Sequence, residues 1–362
     1  MFAHRTLADL EAAGLRLLLG HDAVAIDLKR RKVTVQPSTG TAFELAYDAV
    51  VIGTGATPVR PNLPGVDLPG VHLLHTIDEA RQLRNVIDEG ARRVALIGAG
   101  YVGTEMADAF AHRNVEVTIV EMAPSVLTTF DPDLGRRVGA ELEDHGVTVV
   151  CGTTVERIEP AAGGGLRVIG SPALDVTADA VLVAVGVRPD STLARTAGVE
   201  VDRRGAITVD STMATNVEGI WAAGDCVHTH HLLYPEPVYL PLGTTAHKQG
   251  RVAGINAAGG HTTFAGSLGT QAVKILGLVA ARTGLAKPKP LAPVSTRSAS
   301  PSPSTTTRPI ILARPPCTFD SPATAKAAGC SAPKSSGRTA PRSPREWTSS
   351  PQRFTPAPPS TN

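Results

Sequence analysis

Aromatic side chains, clustered cysteines and long apolar runs are all scarce in this chain. Phe, Tyr and Trp make up 4% of its 362 residues, so the apolar content of 42% is mostly aliphatic. Such a composition suits parallel sheets flanked by helices. No apolar run approaches the roughly 18 residues of a membrane helix, and the first residues lack the apolar segment of a signal peptide. We therefore expect a cytoplasmic protein with no membrane partner.

The cysteines and histidines offer no obvious metal or redox set. The four cysteines are widely spaced and form no CxxC motif: Cys151, Cys226, Cys317 and Cys330. Reduced thiols are the expected state. The cluster of His228, His230 and His231 lacks a carboxylate or cysteine placed to complete a ligand set, so no metal site is predicted.

Charge and proline are unevenly distributed. Residues 286–362 hold 11 Lys and Arg, two acidic side chains and 16 of the 29 prolines, while the rest of the chain is net acidic. No helical or strand period persists there, and we predict a disordered tail at 287–362. Natural disorder is one explanation. We favour a shifted reading frame, because the orderly pattern of 273–282 gives way within a few residues. The tail lacks interleaved aromatics, so no nucleic-acid partner is predicted.

Short apolar runs that end in glycine alternate with helical periodicity along the rest of the chain. The predicted buried strands are 49–52, 93–97, 116–120, 180–185 and 220–223. The predicted helices are 78–89, 102–113, 133–145 and 244–257, with further strands at 23–28, 32–36, 42–47, 147–150 and 153–158. This alternation predicts a doubly wound α/β architecture.

One glycine motif has the context of a dinucleotide site. Gly98, Gly100 and Gly103 follow a predicted strand and open a predicted helix, where a pyrophosphate sits at the helix N-terminus. Glu121 ends the next strand, 18 residues after Gly103. Its carboxylate would accept hydrogen bonds from ribose hydroxyls and repel a 2′-phosphate. The motif therefore predicts a site for NADH, with NADPH less favoured.

A second signal is Gly224-Asp225 after a buried strand, where a carboxylate could bind a polyol. Gly-Asp alone is a common turn, but four motifs occur here in a set order. They are Thr54-Gly55-Ala56-Thr57-Pro58, the glycine motif, Gly186-Val187-Arg188-Pro189 and Ala222-Ala223-Gly224-Asp225. Across about residues 1–285, this order resembles the FAD-dependent pyridine nucleotide–disulphide oxidoreductase family. The stretches 241–251 and 266–270 are similar to its branch of coenzyme A-disulphide reductases and NADH oxidases.

The resemblance implies a two-dinucleotide-binding-domain flavoprotein fold. A Rossmann-like NAD domain at 73–190 would be inserted in an incomplete FAD domain, made of 1–72 and 191–262. A truncated interface domain would begin at 263–286.

The resemblance also implies the cofactor contacts. Asp225 would bind the FAD ribityl chain, and the helix near Thr244 would point its positive end at the flavin pyrimidine edge. Tyr101 would cover the flavin face where nicotinamide docks, with Glu105 nearby, although both could belong to an ordinary helical turn. The implied FAD residues are Thr54, Gly55, Gly224, Asp225, Thr244, Thr245 and Ala246. The implied NAD residues are Gly98, Gly100, Tyr101, Val102, Gly103, Glu105, Glu121 and Gly186.

Two departures from the family pattern bear on activity. The family's first glycine motif, for the FAD pyrophosphate, is absent, and the redox cysteine is expected in that same missing N-terminal segment. We identify no catalytic residue, and we expect Cys226 to be a small buried residue.

By resemblance, hydride passes from NADH to FAD and on to a small-molecule acceptor, either a disulphide such as coenzyme A disulphide or oxygen. A homodimer is expected for the family, although the interface domain looks truncated here. The alternatives are an NADH-dependent reductase of a small redox protein and an inactive nucleotide-binding fragment.

Overall fold

Helices and strands alternate along most of the chain. The computed structural model describes residues 6–285 and the strand Leu312–Ala313. The helices are α1 (Leu7–Ala12), α2 (Ile77–Asp88), α3 (Tyr101–Ala111), α4 (Pro132–Asp144), α5 (Thr192–Thr196) and α6 (Gly243–Ala257). No described helix has the length and apolar character needed to cross a membrane. Apart from Leu312–Ala313, the predicted disordered tail lies outside the described residues.

The strands of the first half are β1 (His21–Asp27), β2 (Lys32–Pro37), β3 (Phe43–Ala46), β4 (Val50–Ile52), β5 (Ala56–Pro58), β6 (Val71–His72), β7 (Arg93–Ile97), β8 (Glu116–Glu121) and β9 (Thr148–Cys151). Those of the second half are β10 (Thr154–Pro160), β11 (Leu166–Ser171), β12 (Leu174–Ala178), β13 (Ala180–Val183), β14 (Val187–Pro189), β15 (Ile220–Ala222), β16 (Gln271–Ile275), β17 (Leu278–Arg282) and β18 (Leu312–Ala313).

The largest sheet has five parallel strands in the order β6-β13-β7-β8-β9. Its central strands are short apolar runs because both faces of the sheet are covered. Leu96 and Ile119 are fully buried, and α2, α3 and α4 contribute Leu83, Phe110 and Leu142 to the same core. The predicted α/β architecture is confirmed in this segment.

A small antiparallel sheet in the order β10-β11-β12 lies between β9 and β13 in the chain. It buries Val168 and Leu174 in a second core, together with Ala95 and Val181 from the parallel sheet. The sequence pattern predicted only the first of these three strands. The glycines at 163–165 form the turn between β10 and β11.

The chain segments that precede and follow the parallel sheet in the sequence form a separate layer. β1, β2 and β3 make an antiparallel sheet, and β4 pairs in parallel with β15. Ile52 and Ile220 are buried in a third core with Cys226. The prediction of a buried strand at 49–52 holds for Ile52 but not for Val51, which is 42% exposed. The reason is that successive side chains of a strand point to opposite faces, so Val51 lies on the face opposite the core that contains Ile52.

One short antiparallel pairing joins these parts. β5 pairs with β14, so the chain enters and leaves the parallel-sheet segment side by side.

The hairpin β16–β17 packs on α3 and α4, and β18 pairs with β17. The hairpin turn is held by two acidic side chains. Asp108 Oδ2 accepts from the Leu276 N–H at 2.9 Å, and Glu141 Oε1 accepts from the Gly277 N–H at 3.0 Å. The domain boundaries given above stay predictions.

Candidate nucleotide-binding site

The glycine turn connects β7 to α3. Gly98 has a φ of +101°, and a Cβ there would lie 2.5 Å from the Ala184 carbonyl oxygen. A Cβ on Gly103 would lie 2.0 Å from the Gly98 carbonyl oxygen. A Cβ on Gly100 would meet nothing within 4 Å. Two of the glycines are therefore needed for packing, and the third leaves open space in front of α3.

That open space faces a helix end suited to an anion. Gly100 is the N-cap of α3 and supplies no side-chain cap. The N–H groups of the first turn have no partner within the helix, and the helix dipole makes this end positive. A pyrophosphate fits these features, because its oxygens accept from the free N–H groups and its charge is favourable there.

Glu121 is fixed beside the turn at the end of β8. Its Oε2 accepts from the Ala99 N–H at 2.8 Å, and its Oε1 accepts from the Ala123 N–H at 2.9 Å. Each carboxylate oxygen keeps a further lone pair for a ribose hydroxyl. Cys151 is opposite Glu121 in the sheet, and burial together with this carboxylate raises the pKa of its thiol.

Tyr101 is the first residue of α3, and its side chain contacts residues far away in the sequence. Its hydroxyl donates to Gln271 Oε1 at 3.1 Å, and its ring centroid is 6.1 Å from that of Phe130. Burial raises the pKa of the phenol to about 12. Glu105 lies one turn further along α3. Its pKa is raised mainly by partial burial and secondly by the nearby Asp108.

The remaining predicted NAD residues flank the turn. Val102 is 39% exposed on α3. Gly186 has a φ of +115°, and its carbonyl accepts from the Val59 N–H at 2.9 Å. Since Ala184 contacts Gly98, the loop that ends at Gly186 closes over the glycine turn.

A second cluster forms where β4 and β15 end together. The parallel pairing brings Thr54-Gly55 beside Gly224-Asp225, and the Ala223 N–H donates to the Ile52 carbonyl at 3.0 Å. Thr54 Oγ1 donates to the Asp190 carbonyl, while the Gly55 carbonyl accepts from the Asp190 N–H at 2.9 Å. The structure brings these four residues together at two adjacent strand ends, and their assignment to FAD stays a prediction.

Asp225 is half-buried with a carboxylate that accepts no hydrogen bond from the residues described between 6 and 285. Burial raises its pKa, and His75 acts in the opposite direction. A half-buried carboxylate that lacks donors suits a ligand rich in hydroxyl groups, because each hydroxyl can donate to it. The site thus fits the ribityl chain of FAD.

The N-terminus of α6 faces this cluster. Thr245 is buried and Thr244 exposed, and the Ala246 Cβ would be 3.6 Å from a Cβ on Gly224. Leu242 is the N-cap and provides no side-chain cap, so the first N–H groups stay available to a ligand.

Two residues that the sequence reasoning missed hold the Gly224-Asp225 turn. Gln249 is fully buried: its Oε1 accepts from the Gly224 N–H at 3.1 Å and its Nε2 donates to Thr229 Oγ1 at 3.1 Å. The Tyr239 hydroxyl donates to the Asp225 carbonyl at 2.9 Å. The available signal was a glutamine on the helix face of Val252 and Ala253, where a polar side chain needs a partner.

The side chains of Cys226, His228 and His231, which follow this turn, form hydrogen bonds with backbone groups. Cys226 is fully buried, and its Sγ donates to the Ala223 carbonyl at 3.3 Å. Burial raises the pKa of this thiol. His228 Nε2 is 2.9 Å from the Val209 carbonyl oxygen, and His231 Nδ1 accepts from the Leu233 N–H at 3.2 Å.

Comparison with known proteins places this geometry in a family. Residues 4–250 match the family model described as pyridine nucleotide-disulphide oxidoreductase. An NADH oxidase of Methanocaldococcus jannaschii is 38% identical over 264 residues, which are 72% of this chain and 58% of that protein. The chain spans about three-fifths of the length of the curated relatives it matches.

Solved structures agree in fold. An NAD-dependent persulfide reductase from A. fulgidus aligns with a TM-score of 0.75 at 36% identity, covering 79% of this chain and 53% of that one. An FAD-dependent pyridine nucleotide-disulphide oxidoreductase from Desulfovibrio vulgaris aligns with a TM-score of 0.69 at 37% identity. The alignment covers 75% of this chain and 69% of that one. The resemblance seen in the motif order is confirmed, and the chain belongs to the pyridine nucleotide-disulphide oxidoreductase family.

Proposed function

We propose that this chain binds NADH at the glycine turn and belongs to an NADH-dependent flavoprotein oxidoreductase. The carrying observation is the placement of Glu121, whose carboxylate is fixed by two backbone N–H groups beside the turn. In this proposal it accepts hydrogen bonds from the adenosine ribose, while the α3 N-terminus binds the pyrophosphate. A 2′-phosphate would lie against the carboxylate, so NADPH binds more weakly.

FAD fits the second cluster. When bound there, it would accept the hydride from NADH. Asp225 would bind the ribityl hydroxyls, and the N-terminus of α6 would favour negative charge on the flavin. Gln249 and Tyr239 position the peptide around Asp225. Tyr101 and Glu105, on the first turns of α3, line the nicotinamide end of the dinucleotide.

The electron acceptor is a small molecule in this proposal. The M. jannaschii relative is an NADH oxidase and the A. fulgidus protein a persulfide reductase, which supports oxygen or a sulfur compound with an S–S bond as the acceptor. We further propose a homodimer in the cytoplasm, by analogy with the family and with the composition of the chain.

The test is a titration of the purified full chain with NADH and with NADPH, read by nucleotide fluorescence. We expect NADH to bind at least about tenfold more tightly, which corresponds to roughly 1.4 kcal/mol. Absence of NADH binding would overturn the proposal. The visible spectrum of the same preparation reports bound flavin, and NADH consumption with oxygen or with a disulphide distinguishes the two acceptor classes.

A further inference from the structure

A frame of hydrogen bonds surrounds the Gly224-Asp225 turn. On one side, Gln249 Oε1 accepts from the Gly224 N–H at 3.1 Å, and Gln249 Nε2 donates to Thr229 Oγ1 at 3.1 Å. On the other side, the Tyr239 hydroxyl donates to the Asp225 carbonyl at 2.9 Å. The N–H group that enters the turn and the carbonyl group that leaves it are therefore both bonded to side chains from other segments.

The backbone closes this frame between its two sides. The Thr229 N–H donates to the Val238 carbonyl at 2.7 Å, and the Val238 N–H donates to the Thr229 carbonyl at 2.9 Å. Tyr239 is the next residue along the chain. Gln249 is fully buried and Thr229 is 1% exposed, so water does not compete for their side-chain bonds. A buried amide that uses both its oxygen and its nitrogen has one orientation, which makes the frame rigid.

The frame sets the direction of the Asp225 carboxylate. This half-buried group accepts no hydrogen bond from the residues described between 6 and 285, so protein donors do not orient it. Gly224 before it has a φ of +88°, in a residue type whose backbone is intrinsically free. The Val227 N–H donates to the Gly224 carbonyl inside the turn at 3.2 Å, and the frame holds the outer side.

We infer that Gln249 is a positioning residue for flavin binding: through the frame, it keeps the Asp225 carboxylate directed at the hydroxyl groups of the ribityl chain. This inference rests on the proposed flavin site. A carboxylate that is already held in place loses little freedom when hydroxyl groups bind to it, so the frame favours binding through preorganisation. A flavin without the ribityl chain offers Asp225 no hydroxyl group, and its binding does not depend on the direction of the carboxylate.

The experiment compares FAD with lumiflavin, which has the same ring system and a methyl group in place of the ribityl chain. Both are titrated against the full chain by quenching of flavin fluorescence. Gln249→Met keeps the length of the side chain and removes both amide groups. We expect it to weaken FAD binding about tenfold, with lumiflavin binding unchanged. In an Asp225→Ala background, Gln249→Met should cause no further loss of FAD affinity, because the carboxylate is already gone.

Thr229 provides a milder test of the same frame. Thr229→Val removes the hydroxyl group at nearly constant shape and leaves Gln249 Nε2 without its acceptor. We expect FAD binding to weaken about threefold, the lower range for one lost hydrogen bond. Thr229→Ser keeps the hydroxyl group and should retain the native affinity.

A matched control lies two turns further along α6. Asn256 is also buried, and its Nδ2 donates to the carbonyl groups of Thr212 and Thr262 at 2.8 Å, which are outside the frame. Asn256→Leu should lower the melting temperature and leave FAD affinity unchanged.

Amide exchange, followed by mass spectrometry on a peptide that contains Gly224, gives a readout that needs no flavin. In Gln249→Met, the Gly224 N–H should exchange at least about tenfold faster than in the native chain, because its acceptor is gone. In Asn256→Leu the rate at Gly224 should stay close to the native one.

Equal losses of FAD and lumiflavin affinity in Gln249→Met would overturn the inference, because they would indicate a general effect on α6. An unchanged FAD affinity would overturn it as well. If the native chain bound no FAD, the proposed flavin site itself would be refuted, while the exchange rate at Gly224 would still report whether Gln249 holds the turn. Thermal unfolding followed by circular dichroism identifies any variant that does not fold, and Thr229→Val then provides the same test from the other partner.

Discussion

Gly103 on helix α3 packs against the carbonyl group of Gly98, so closely that a Cβ on Gly103 would be 2.0 Å from the Gly98 oxygen. Gly100, between them in the sequence, has a φ of −74° and a ψ of −163°, and a Cβ there would meet nothing within 4 Å. The three glycines of one motif therefore meet two different requirements, and alanine substitutions can separate them.

Gly103→Ala should destabilise the fold. The new methyl group meets the carbonyl group of Gly98, so α3 must move away from the end of β7, at a cost of about 1–3 kcal/mol. Urea unfolding at equilibrium measures the change. A free energy of unfolding equal to that of the native chain would contradict the packing described here.

Gly100→Ala should keep stability and lose nucleotide binding. Its backbone conformation is open to alanine, and the methyl group would occupy the space in front of the α3 N-terminus. We expect NADH affinity to fall at least about tenfold, with the urea midpoint within error of the native one. Tight NADH binding by this variant would place the pyrophosphate elsewhere.

Glu121→Arg should move the preference from NADH toward NADPH. The substitution replaces a carboxylate that repels a 2′-phosphate with a guanidinium that attracts it. Because Glu121 also accepts from the Ala99 N–H, absolute affinities are expected to fall. The informative quantity is the ratio of the two dissociation constants, which should change by at least about tenfold. Glu121→Gln, which removes the charge and keeps the shape, should change the ratio less.

The ion pair of Asp179 and Arg93 should make stability depend on pH in acid. Asp179 accepts from the Arg93 side chain at 2.7 Å and from the backbone N–H groups of Arg92 and Arg93. The Arg93 side chain is the largest cause of a pKa lowered to about 2. Because this pKa is depressed on folding, the stabilisation is complete above the unfolded value near 3.8 and is lost as the pH falls toward 2.

The measurement is urea unfolding between about pH 5 and pH 2, for the native chain and for Asp179→Asn. Over this interval the free energy of unfolding of the native chain should fall by about 1–2 kcal/mol more than that of the variant. This figure is reduced for the partial exposure of the pair. Asp78→Asn is the control, since its pair with Arg81 is 81% exposed on the aspartate side. Parallel curves for the native chain and Asp179→Asn would disprove the assignment.

Local sequence patterns predicted the elements around the site well. The strand expected at 93–97 is Arg93–Ile97, and the helix expected from 102 begins one residue earlier, at Tyr101. Both follow from short-range physics, because an apolar run that ends in glycine specifies its own strand and turn. The places of Glu121, Gly224 and Asp225 at or just after the ends of strands were predictable for the same reason, while their binding roles stay predictions.

The contacts of Gln249 and Gln271 could not be predicted in this way. Gln249 meets Gly224 across 25 positions and Gln271 meets Tyr101 across 170. Nothing in the local period says which buried donor or acceptor a glutamine will meet, because tertiary packing decides it. The strands β11 and β12 were also missed, although the alternating burial along Leu166–Ser171 is typical of a strand that pairs on both sides.

The antiparallel pairing of Ala56–Pro58 with Val187–Pro189 has an engineering consequence. The register sets Pro58 opposite Val187, and the Val59 N–H continues the ladder to the Gly186 carbonyl at 2.9 Å. Paired positions in such a ladder have Cα atoms about 5 Å apart. The two ends of the stretch 59–186 are therefore neighbours, and a linker of a few residues could join them. A transplant of this stretch into another scaffold would also have to include the hairpin β16–β17, because Val273 and Ile275 belong to the same core as Leu96 and because Asp108 and Glu141 hold the hairpin turn.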